Sequence, residues 1–477
     1  MPGREHPIFR FEPLLTAASA LLFFLVFGAF LLDLTPPYAA LDEPFHWLRV
    51  LQIAQGDLLA EQLGPNNWGG PVDKHAYDHM LHYVELIQRH APVDAAHARA
   101  LSNHLATLPP VDEVVSFPSS ASFAPLAYLP QAAFAAAARA LGYAPLDQAH
   151  AGRLGNLVGY GLMVLAILRA LPAARLAFLA LALSPVALQN ACTLSADPLN
   201  LTLPVLLFAL VWRLRGRGTP LRAWEAAGLV LLSAALGLLK LTLAPFAGLV
   251  LLLPVAATGG ARGRIALAAL CLGAALGVAL LWNAAYPFVP GPYWSTAADP
   301  AAQIARMRAD PLETLRAFAV TTRDWAIMWW RDGYGRYGGH PAPWSGYADD
   351  RWILAALWVL PALALCDGVC DGARRRDPVV AVAYPAAAAG YVLLVMAAFW
   401  VGFTPVGAPM VLGLQGRYFL PAQALVLLAL AAAAGPWSPA GLRRGLRLAL
   451  FAGMLALNGA VLADVLAAWR ALWVAAG

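Results

Sequence analysis

The chain is dominated by long apolar segments that recur along almost its whole length. About eleven of them approach the length that a helix needs to cross a bilayer, which is about 20 apolar residues for about 30 Å of hydrocarbon. Of the 477 residues, 60% are hydrophobic and only 12% are charged, whereas soluble domains have about 45–50% apolar and about 25% charged residues. The sequence therefore predicts an all-α polytopic membrane protein and excludes the soluble, disordered and disulfide-scaffold classes.

Short basic connectors between the apolar segments indicate how the chain is oriented. Together with Arg4 and Arg10 near the N-terminus, they hold 16 of the 32 Lys and Arg residues. The positive-inside rule places such connectors in the cytoplasm, so we expect a cytoplasmic N-terminus and a multi-pass protein of a bacterial inner membrane. The connectors contain Arg169 and Arg175; Arg213, Arg215, Arg217 and Arg222; Arg262 and Arg264; Arg374–Arg376; and Arg443, Arg444 and Arg447.

It is ambiguous which segment crosses the membrane before Arg169. The first predicted span ends on the outer side and Arg169 lies in the cytoplasm, so an odd number of crossings must lie between them. Phe123–Leu141 and Leu154–Ala170 compete for this crossing, and only one of them can cross. The first is rich in alanine, contains Pro125 and Pro130 and is weakly hydrophobic, so we expect it to form a juxtamembrane helix on the outer face. The predicted spans are then 14–32, 154–170, 174–193, 198–212, 224–239, 242–257, 265–283, 352–366, 379–401, 418–435 and 446–468.

Two long hydrophilic segments then face the outer side of a single transmembrane domain that comprises residues 1–477. The first outer loop, 33–153, carries juxtamembrane helices, and its residues 33–120 hold eleven acidic and four basic side chains. The second outer loop, 284–351, is nearly balanced in charge. Neither loop shows clear strand periodicity, and the patterns predict amphipathic helices at Glu43–Leu59, Asp73–Arg89 and Pro311–Trp330. Long loops on one face suggest that chemistry or recognition takes place there.

Acidic residues follow the first and third predicted spans on the outer side. Asp42 and Glu43 lie in Leu41-Asp42-Glu43-Pro44-Phe45-His46, and Asp197 lies in Ser195-Ala196-Asp197-Pro198. Carboxylates at a membrane surface can act as a base or a metal ligand. The structural alternative is that Asp42 and Asp197 only cap the helices that begin there. Their convergence on one membrane surface favours a functional role.

Two basic residues lie close to membrane depth on the same side. Lys240 is the only charged residue inside Leu231–Leu253, and it can bind a phosphate as a point charge or snorkel to the interface. Arg417 lies on the outer side, against the positive-inside trend, in Gln415-Gly416-Arg417-Tyr418-Phe419-Leu420-Pro421. A guanidinium there suits bidentate phosphate binding, and the alternative is an Arg-Tyr pair that anchors the chain at the headgroups.

Several other patterns are weaker indications. His75, His79 and His82 share a helical face next to Asp78, but a polar stripe on a solvated helix is a better interpretation than a metal site. Gly333–Gly338 matches GxGxxG without the strand and helix of a nucleotide fold, so we expect an aromatic-rich loop that touches substrate. The basic residues are dispersed between apolar segments, so the net charge of +5 does not indicate nucleic acid.

These motifs together resemble those of the GT-C membrane glycosyltransferases, which include the aminoarabinose and protein-mannosyl transferases. Four stretches are more closely similar to the bacterial family catalogued as domain of unknown function 2142, which is itself considered GT-C-like. The resemblance covers roughly residues 14–435 and rests on short motifs. They are Pro37–Gly56 (PYAALDEPFHWLRVLQIAQG), Ser184–Asn200 (SPVALQNACTLSADPLN), Asp299–Leu312 (DPAAQIARMRADPL) and Gln415–Pro421.

The resemblance implies a role for each candidate residue. Asp42 would be the base that accepts the proton of the acceptor hydroxyl, and Glu43 and Asp197 would orient the acceptor or hold a divalent cation in branches that use one. The departing polyprenyl phosphate would be neutralised by Lys240 and Arg417, with Tyr418 beside them. His46 and Arg336 are candidate substrate contacts. No metal ligand is assigned, and a divalent cation is the one cofactor left open.

The expected function is transfer of a sugar, with inversion, from a polyprenyl-phosphate donor to an envelope glycan or lipid on the outer face. The expected partners are that lipid-linked sugar, the glycan or lipid acceptor and membrane lipids. One alternative is a transporter whose substrate path is lined by Lys240, Asp197 and Arg417. Another is a non-catalytic assembly partner in polysaccharide export. The sequence shows no clear two-half repeat, and the one-sided loops favour the enzyme.

Overall fold

The protein is described by a computed structural model that covers residues 12–89, 91, 93–287, 298–338, 345–370, 376–434 and 440–474. Arg4, Arg10, Arg374 and Arg375, which contributed to the predicted orientation, lie outside the described residues.

The described chain is mostly helical, as predicted. Its helices, in order, are α1 (Glu12–Leu34), α2 (Glu43–Ala54), α3 (Lys74–Gln88), α4 (Ala95–Leu105), α5 (Pro118–Ala121), α6 (Leu129–Ala140), α7 (Pro145–Ala170), α8 (Arg175–Ala182), α9 (Pro185–Ala191), α10 (Asp197–Arg215), α11 (Ala223–Leu239), α12 (Ala261–Ala285), α13 (Pro300–Ala309), α14 (Pro311–Gly335), α15 (Asp350–Cys370), α16 (Pro378–Gly402), α17 (Leu420–Ala433) and α18 (Ala440–Leu472).

Among the described residues, eight helices are long and apolar enough to cross a membrane. These lie on α1, α7, α10, α12, α15, α16, α17 and α18, and they overlap eight of the eleven predicted spans. The other three predicted spans fall on shorter elements. Segment 174–193 forms α8 and α9, 224–239 lies on α11, and 242–257 forms two 3₁₀ helices, Leu241–Leu252 and Val255–Thr258. The count of eleven crossings therefore stays a prediction.

The basic connectors lie together at one end of the helix bundle. Arg213 donates to the carbonyl of Arg169 (2.9 Å), Arg215 pairs with Asp377 (3.1 Å), and Arg447 lies 3.4 Å from a carboxylate oxygen of Asp367. We call this the arginine end. Helix α10 runs from Asp197 to Arg215, and its 19 residues span about 28 Å at 1.5 Å per residue. Asp197 therefore lies at the opposite end of the bundle.

The third predicted span, 174–193, is interrupted between α8 and α9. Buried side chains donate hydrogen bonds to the backbone carbonyls at this interruption. The Asn458 amide donates to the carbonyls of Ala180 and Leu183, each at 3.0 Å, and the Tyr160 hydroxyl donates to the carbonyl of Ala182 at 2.7 Å. A bilayer core holds no water to satisfy such carbonyls, so internal donors are required. The break lets α9 diverge from α8 on its way to the opposite end.

The ambiguous segment Phe123–Leu141 forms a 3₁₀ turn (Pro125–Tyr128) followed by α6. At 12 residues α6 is about 18 Å long, which is shorter than the hydrocarbon thickness, and the expectation that this segment does not cross stays a prediction. It folds back along α7 as a hairpin. A side chain at Gly155 would place its Cβ 2.4 Å from the carbonyl oxygen of Pro130, so glycine permits this close contact.

The first outer loop contains a small antiparallel sheet that the sequence analysis did not anticipate. Strands β1 (Glu61–Gly64), β2 (Asn67–Asp73) and β4 (Asp112–Ser116) pair in the order β1-β2-β4. Strand β2 reads NWGGPVD, and its glycines and proline hide the alternation that marks a strand.

The predicted amphipathic helices do form, as α2, α3 and α14. The remaining short strands are β3 (Val93–Asp94), β5 (Arg336–Gly338), β6 (Ser345–Tyr347) and β7 (Trp473–Val474).

Replacing Asn458 tests whether this side chain stabilises the broken helix. In Asn458→Ala the carbonyls of Ala180 and Leu183 lose their donor, and we expect the free energy of unfolding to fall by about 1 to 3 kcal/mol. Thermal unfolding of the purified protein in detergent measures the loss. Asn283→Ala is the matched control, because the Asn283 amide bonds only one turn back along its own helix, to Ala279. Equal stability of the two variants would contradict the proposed capping.

Candidate functional site

Asp42 adopts a backbone conformation that is uncommon for a residue other than glycine. Its φ is 60° and its ψ is 3°, in the left-handed region, and its side chain makes no capping hydrogen bond to α2 within the described structure. The carboxylate is instead bound by Arg417, at 2.5 Å from Nη2. The left-handed turn thus directs Asp42 away from the helix that it precedes, and the capping alternative does not describe its side chain.

Arg417 brings together three predicted residues that are far apart in sequence. It lies in a 3₁₀ turn (Gly416–Phe419) before α17, is only 8% exposed, and contacts Asp42 through Nη2 and Asp197 through Nε, which is 3.2 Å from Oδ2. Asp197 is the first residue of α10 rather than its cap. A buried guanidinium needs such counter-charges, so Arg417 and the two carboxylates form one electrostatic unit.

Lys240 joins this unit through Tyr418. Its Nζ lies 4.7 Å from the centroid of the Tyr418 ring, and Cζ of Arg417 lies 5.4 Å from the same ring. Two cations therefore share one aromatic ring. They also line one cleft, which we call the lysine cleft and define by Asp197, Asn200, Lys240, Tyr391, Arg417 and Tyr418.

A second, partly open cleft lies on the other side of Arg417. We call it the amide cleft and define it by Gln189, Asn190, Asp332, Arg336, Gln415 and Arg417. Helix α9, which follows the break in the third predicted span, supplies Gln189 and Asn190. Because Arg417 lines both clefts, a ligand could occupy the two together.

Three of the described helices begin at this cluster: α2, α10 and α17. Each has a proline in its first turn, namely Pro44, Pro198 and Pro421. The amino-terminal end of a helix presents unpaired N–H groups and the positive end of its dipole. Together with Arg417 and Lys240, these ends create an environment that favours an anion.

Glu43 forms an ion pair with Arg153, whereas its neighbour Asp42 pairs with Arg417. Its carboxylate accepts from Nε and Nη2 of Arg153, both at 2.7 Å, and from the backbone N–H of Leu194 at 3.1 Å, and both charged side chains are buried. The other Arg153 donors bind the carbonyls of Thr35 and Pro36. The ion pair joins the start of α2 to α7, and the bonds of Arg153 to the two carbonyls attach the end of α1 to α7. Sequence analysis missed Arg153, although a lone arginine inside an apolar segment is a signal that could have indicated it.

His46 lies in the first turn of α2, packed against the site. Its Nδ1 is 2.6 Å from the hydroxyl of Tyr128. Burial lowers the pKa of His46, and this outweighs the opposing effect of the nearby Asp42 and Asp197 carboxylates. For Asp42 itself, loss of hydration opposes ionisation, but Arg417 holds the pKa of the carboxyl below its usual value. A neutral imidazole thus lies close to an ionised carboxylate at neutral pH.

Arg336 lines the amide cleft, where it pairs with Asp332 at 2.6 Å. The other carboxylate oxygen of Asp332 accepts from the backbone N–H of Gly416 at 2.6 Å. Asp332 therefore ties the second outer loop to the turn that carries Arg417. Sequence analysis missed this residue, because nothing in the local pattern distinguishes it from other exposed acids of the loop.

The glycine-rich motif Gly333–Gly338 was predicted to form a loop, but in the structure it belongs to a helix and a strand. Its first residues, Gly333–Gly335, are the buried last turn of α14, and the next form β5. Backbone packing explains the glycines here. A Cβ at Gly416 would lie 1.9 Å from the carbonyl oxygen of Trp329, and one at Gly333 would lie 2.8 Å from that of Gly416.

Two histidines of the stripe on α3, His75 and His79, make structural hydrogen bonds. Nε2 of His79 donates to the Ala98 carbonyl, and in the neutral ring that its lowered pKa indicates Nδ1 accepts from the Tyr38 hydroxyl, both at 3.1 Å. His75 bonds the carbonyl of Pro109. Within the described residues, no group of three or more His, Cys, Asp or Glu side chains is arranged to hold a metal ion.

His79 should make the fold sensitive to acid. Burial lowers its pKa from 6.5 to about 4, so between these values the unfolded chain binds a proton that the folded protein does not, and stability falls as the pH falls. We expect this residue alone to remove about 2 kcal/mol between pH 7 and pH 5. His79→Gln should flatten the pH dependence of the unfolding temperature, and His104→Gln, at an exposed histidine, should leave it unchanged. An equal slope in all three proteins would contradict this assignment.

Comparison with known proteins is consistent with the fold class. Residues 24–426 match the family described as "Predicted membrane protein (DUF2142)", which covers most of the chain and includes both clefts. No curated protein and no solved structure matches the chain. The chain therefore belongs to the DUF2142 family of membrane proteins.

Proposed function

We propose that this protein is a membrane glycosyltransferase of the GT-C type. It transfers a sugar from a polyprenyl-phosphate donor to an envelope glycan or lipid on the outer, periplasmic face of a bacterial inner membrane. The observation that carries the proposal is the convergence of Asp42, Asp197, Lys240 and Arg417 at the end of the bundle opposite the arginine end.

The lysine cleft suits the phosphate of the donor. Lys240 supplies a positive charge, and Arg417 supplies guanidinium donors for which a phosphate would compete with Asp42 and Asp197. The amino-terminal ends of α10 and α17 add the positive ends of their dipoles. A leaving group that departs as a lipid phosphate develops negative charge, which fixed cations stabilise in the transition state. The position at a membrane surface lets the polyprenyl chain remain in the bilayer while its phosphate enters the cleft.

Asp42 is placed to act as the base. The acceptor oxygen forms a bond to the anomeric carbon while the bond from that carbon to the phosphate oxygen breaks, and the phosphate leaves with the electron pair. Asp42 accepts the proton of the acceptor hydroxyl. Its side chain is 39% exposed, so an acceptor can approach it. Donor phosphate at Arg417 would compete with Asp42 for the guanidinium and so release the carboxylate for this task.

The other candidate residues have supporting roles in this proposal. Glu43 holds the Asp42 turn through its ion pair with Arg153, and Asp197 orients Arg417. Glu43 and Asp197, which the resemblance offers to a divalent cation, already pair with Arg153 and Arg417, so we assign no step to a cation. His46 and Arg336 border the site as substrate contacts.

The reaction can be tested with Asp42→Asn. Asparagine tolerates the left-handed backbone, so this variant should fold while losing the base. We expect transfer to fall by about 100-fold or more, which removes the transferred sugar from envelope glycans of a strain that carries only the variant. Arg417→Gln and Lys240→Met should show the same defect through donor binding.

Asp147→Asn is the matched control, because Asp147 pairs with Arg99 away from both clefts. It should leave the glycans unchanged. Unaltered sugar composition in the Asp42→Asn strain, at normal expression, would overturn the proposed reaction.

The orientation can be tested with single cysteines. We expect Asp147→Cys, at the start of α7, to react with a membrane-impermeant maleimide in intact cells, because positive-inside orientation places the arginine end in the cytoplasm. Thr219→Cys, in the exposed connector after α10, should react only after lysis. The reverse pattern would place the proposed site in the cytoplasm and contradict the assignment.

A further inference from the structure

The amide cleft contains polar atoms that the protein itself does not satisfy. Among the described residues, Nδ2 of Asn190 and Oε1 of Gln415 are buried and have no hydrogen-bond partner. One is a donor and the other an acceptor. Buried polar atoms normally have partners, and an unpaired one costs about 1 to 3 kcal/mol. Their position in a cleft indicates that a ligand supplies the missing bonds.

The two guanidinium charges at the amide cleft are already neutralised by three carboxylates. Arg336 pairs with Asp332, which also accepts from Gly416, and Arg417 is shared by two carboxylates. A free anion gains little in such a site. A neutral group that both donates and accepts fits better, and hydroxyl groups have this property. The apolar side chains of Leu41 and Val186 complete the wall, as the carbon skeleton of a ring would require.

We propose that the amide cleft binds the hydroxyl-rich ring of a sugar, with Asn190 donating to one hydroxyl and Gln415 accepting from another. The inference rests on the proposed function and extends it by naming the sugar subsite. The ring could belong to the donor, since Arg417 separates the cleft from the phosphate in the lysine cleft, or to a glycan acceptor. Both sources present the same chemistry to the two amides.

Variants of the two amides can separate sugar binding from phosphate binding. Neither side-chain atom has a partner among the described residues, so Asn190→Ala and Gln415→Ala should fold normally. Gln303→Ala is the matched control, because Gln303 is another buried amide without a partner in the described structure and lines neither cleft. Lys240→Met serves as the variant of the lysine cleft.

The first probe is undecaprenyl phosphate, alone or carrying glucose, galactose or mannose, measured by competition in native mass spectrometry. If the ring belongs to the donor, the wild-type protein prefers a glycosylated lipid. The double variant Asn190→Ala/Gln415→Ala then loses about threefold to tenfold in affinity for each lost bond and binds the bare lipid as before. Lys240→Met should weaken binding of both lipids.

The second probe is a series of methyl glycosides at millimolar concentration, added with undecaprenyl phosphate in a thermal-shift assay. If the ring belongs to an acceptor, a glycoside raises the unfolding temperature of the wild-type protein and of Gln303→Ala but not of the double variant. The lipid preference then stays unchanged. This pattern also supports the proposal.

The sugar subsite would be overturned if the double variant matched the wild-type protein in both assays, if no sugar bound in either, or if Gln303→Ala produced the same loss. Failure of the proposed function looks different. In that case the wild-type protein would not bind bare undecaprenyl phosphate, or Lys240→Met would bind it equally well. The glycoside assay would still decide whether the amide cleft binds a sugar.

Discussion

The site depends on one buried cation, the guanidinium of Arg417. A buried charge without counter-charges is strongly destabilising, and Arg417 obtains them from Asp42 and Asp197, which belong to distant segments of the chain. Its pairing therefore draws the loop after α1, the start of α10 and the start of α17 to one place. Asp332 holds the same turn from the second outer loop through the N–H of Gly416. Electrostatic pairing thus assembles the cluster and leaves a cleft on each side of it.

Two adjacent carboxylates have different environments because of one backbone dihedral angle. Asp42 is in the left-handed region, so its side chain diverges from that of Glu43. Glu43 is fully buried and its acceptor sites are filled by Arg153 and Leu194, whereas Asp42 keeps 39% of its side chain exposed. The first arrangement is rigid and closed, and the second remains accessible to a substrate. This difference is the reason why we assign chemistry to Asp42 and positioning to Glu43.

Much of this organisation can be predicted from sequence, for identifiable reasons. Hydropathy reveals apolar helices because the bilayer imposes their length, and the arginine connectors at one end of the bundle are marked by composition alone. Asp42, Asp197, Lys240 and Arg417 are conspicuous because charge is scarce in this chain. Asn458 and Asp332 lack such a signal, since their importance comes from backbone groups that they reach across the fold. The sequence analysis overlooked the break near Leu183, because apolar composition continues through it, although Ser184-Pro185 marks a helix boundary there.

The sequence by itself determined the class of the protein, its apolar helices, the separation of basic connectors from acidic loops and the residues worth testing. These properties depend on local composition and on the exclusion of charge from hydrocarbon, which act wherever a residue stands in the chain. Only the tertiary structure decided which carboxylate pairs with which arginine, that Arg417 separates two clefts, and that Nδ2 of Asn190 and Oε1 of Gln415 have no hydrogen-bond partner among the described residues. Those outcomes depend on distances between segments up to 375 positions apart, which no local pattern encodes.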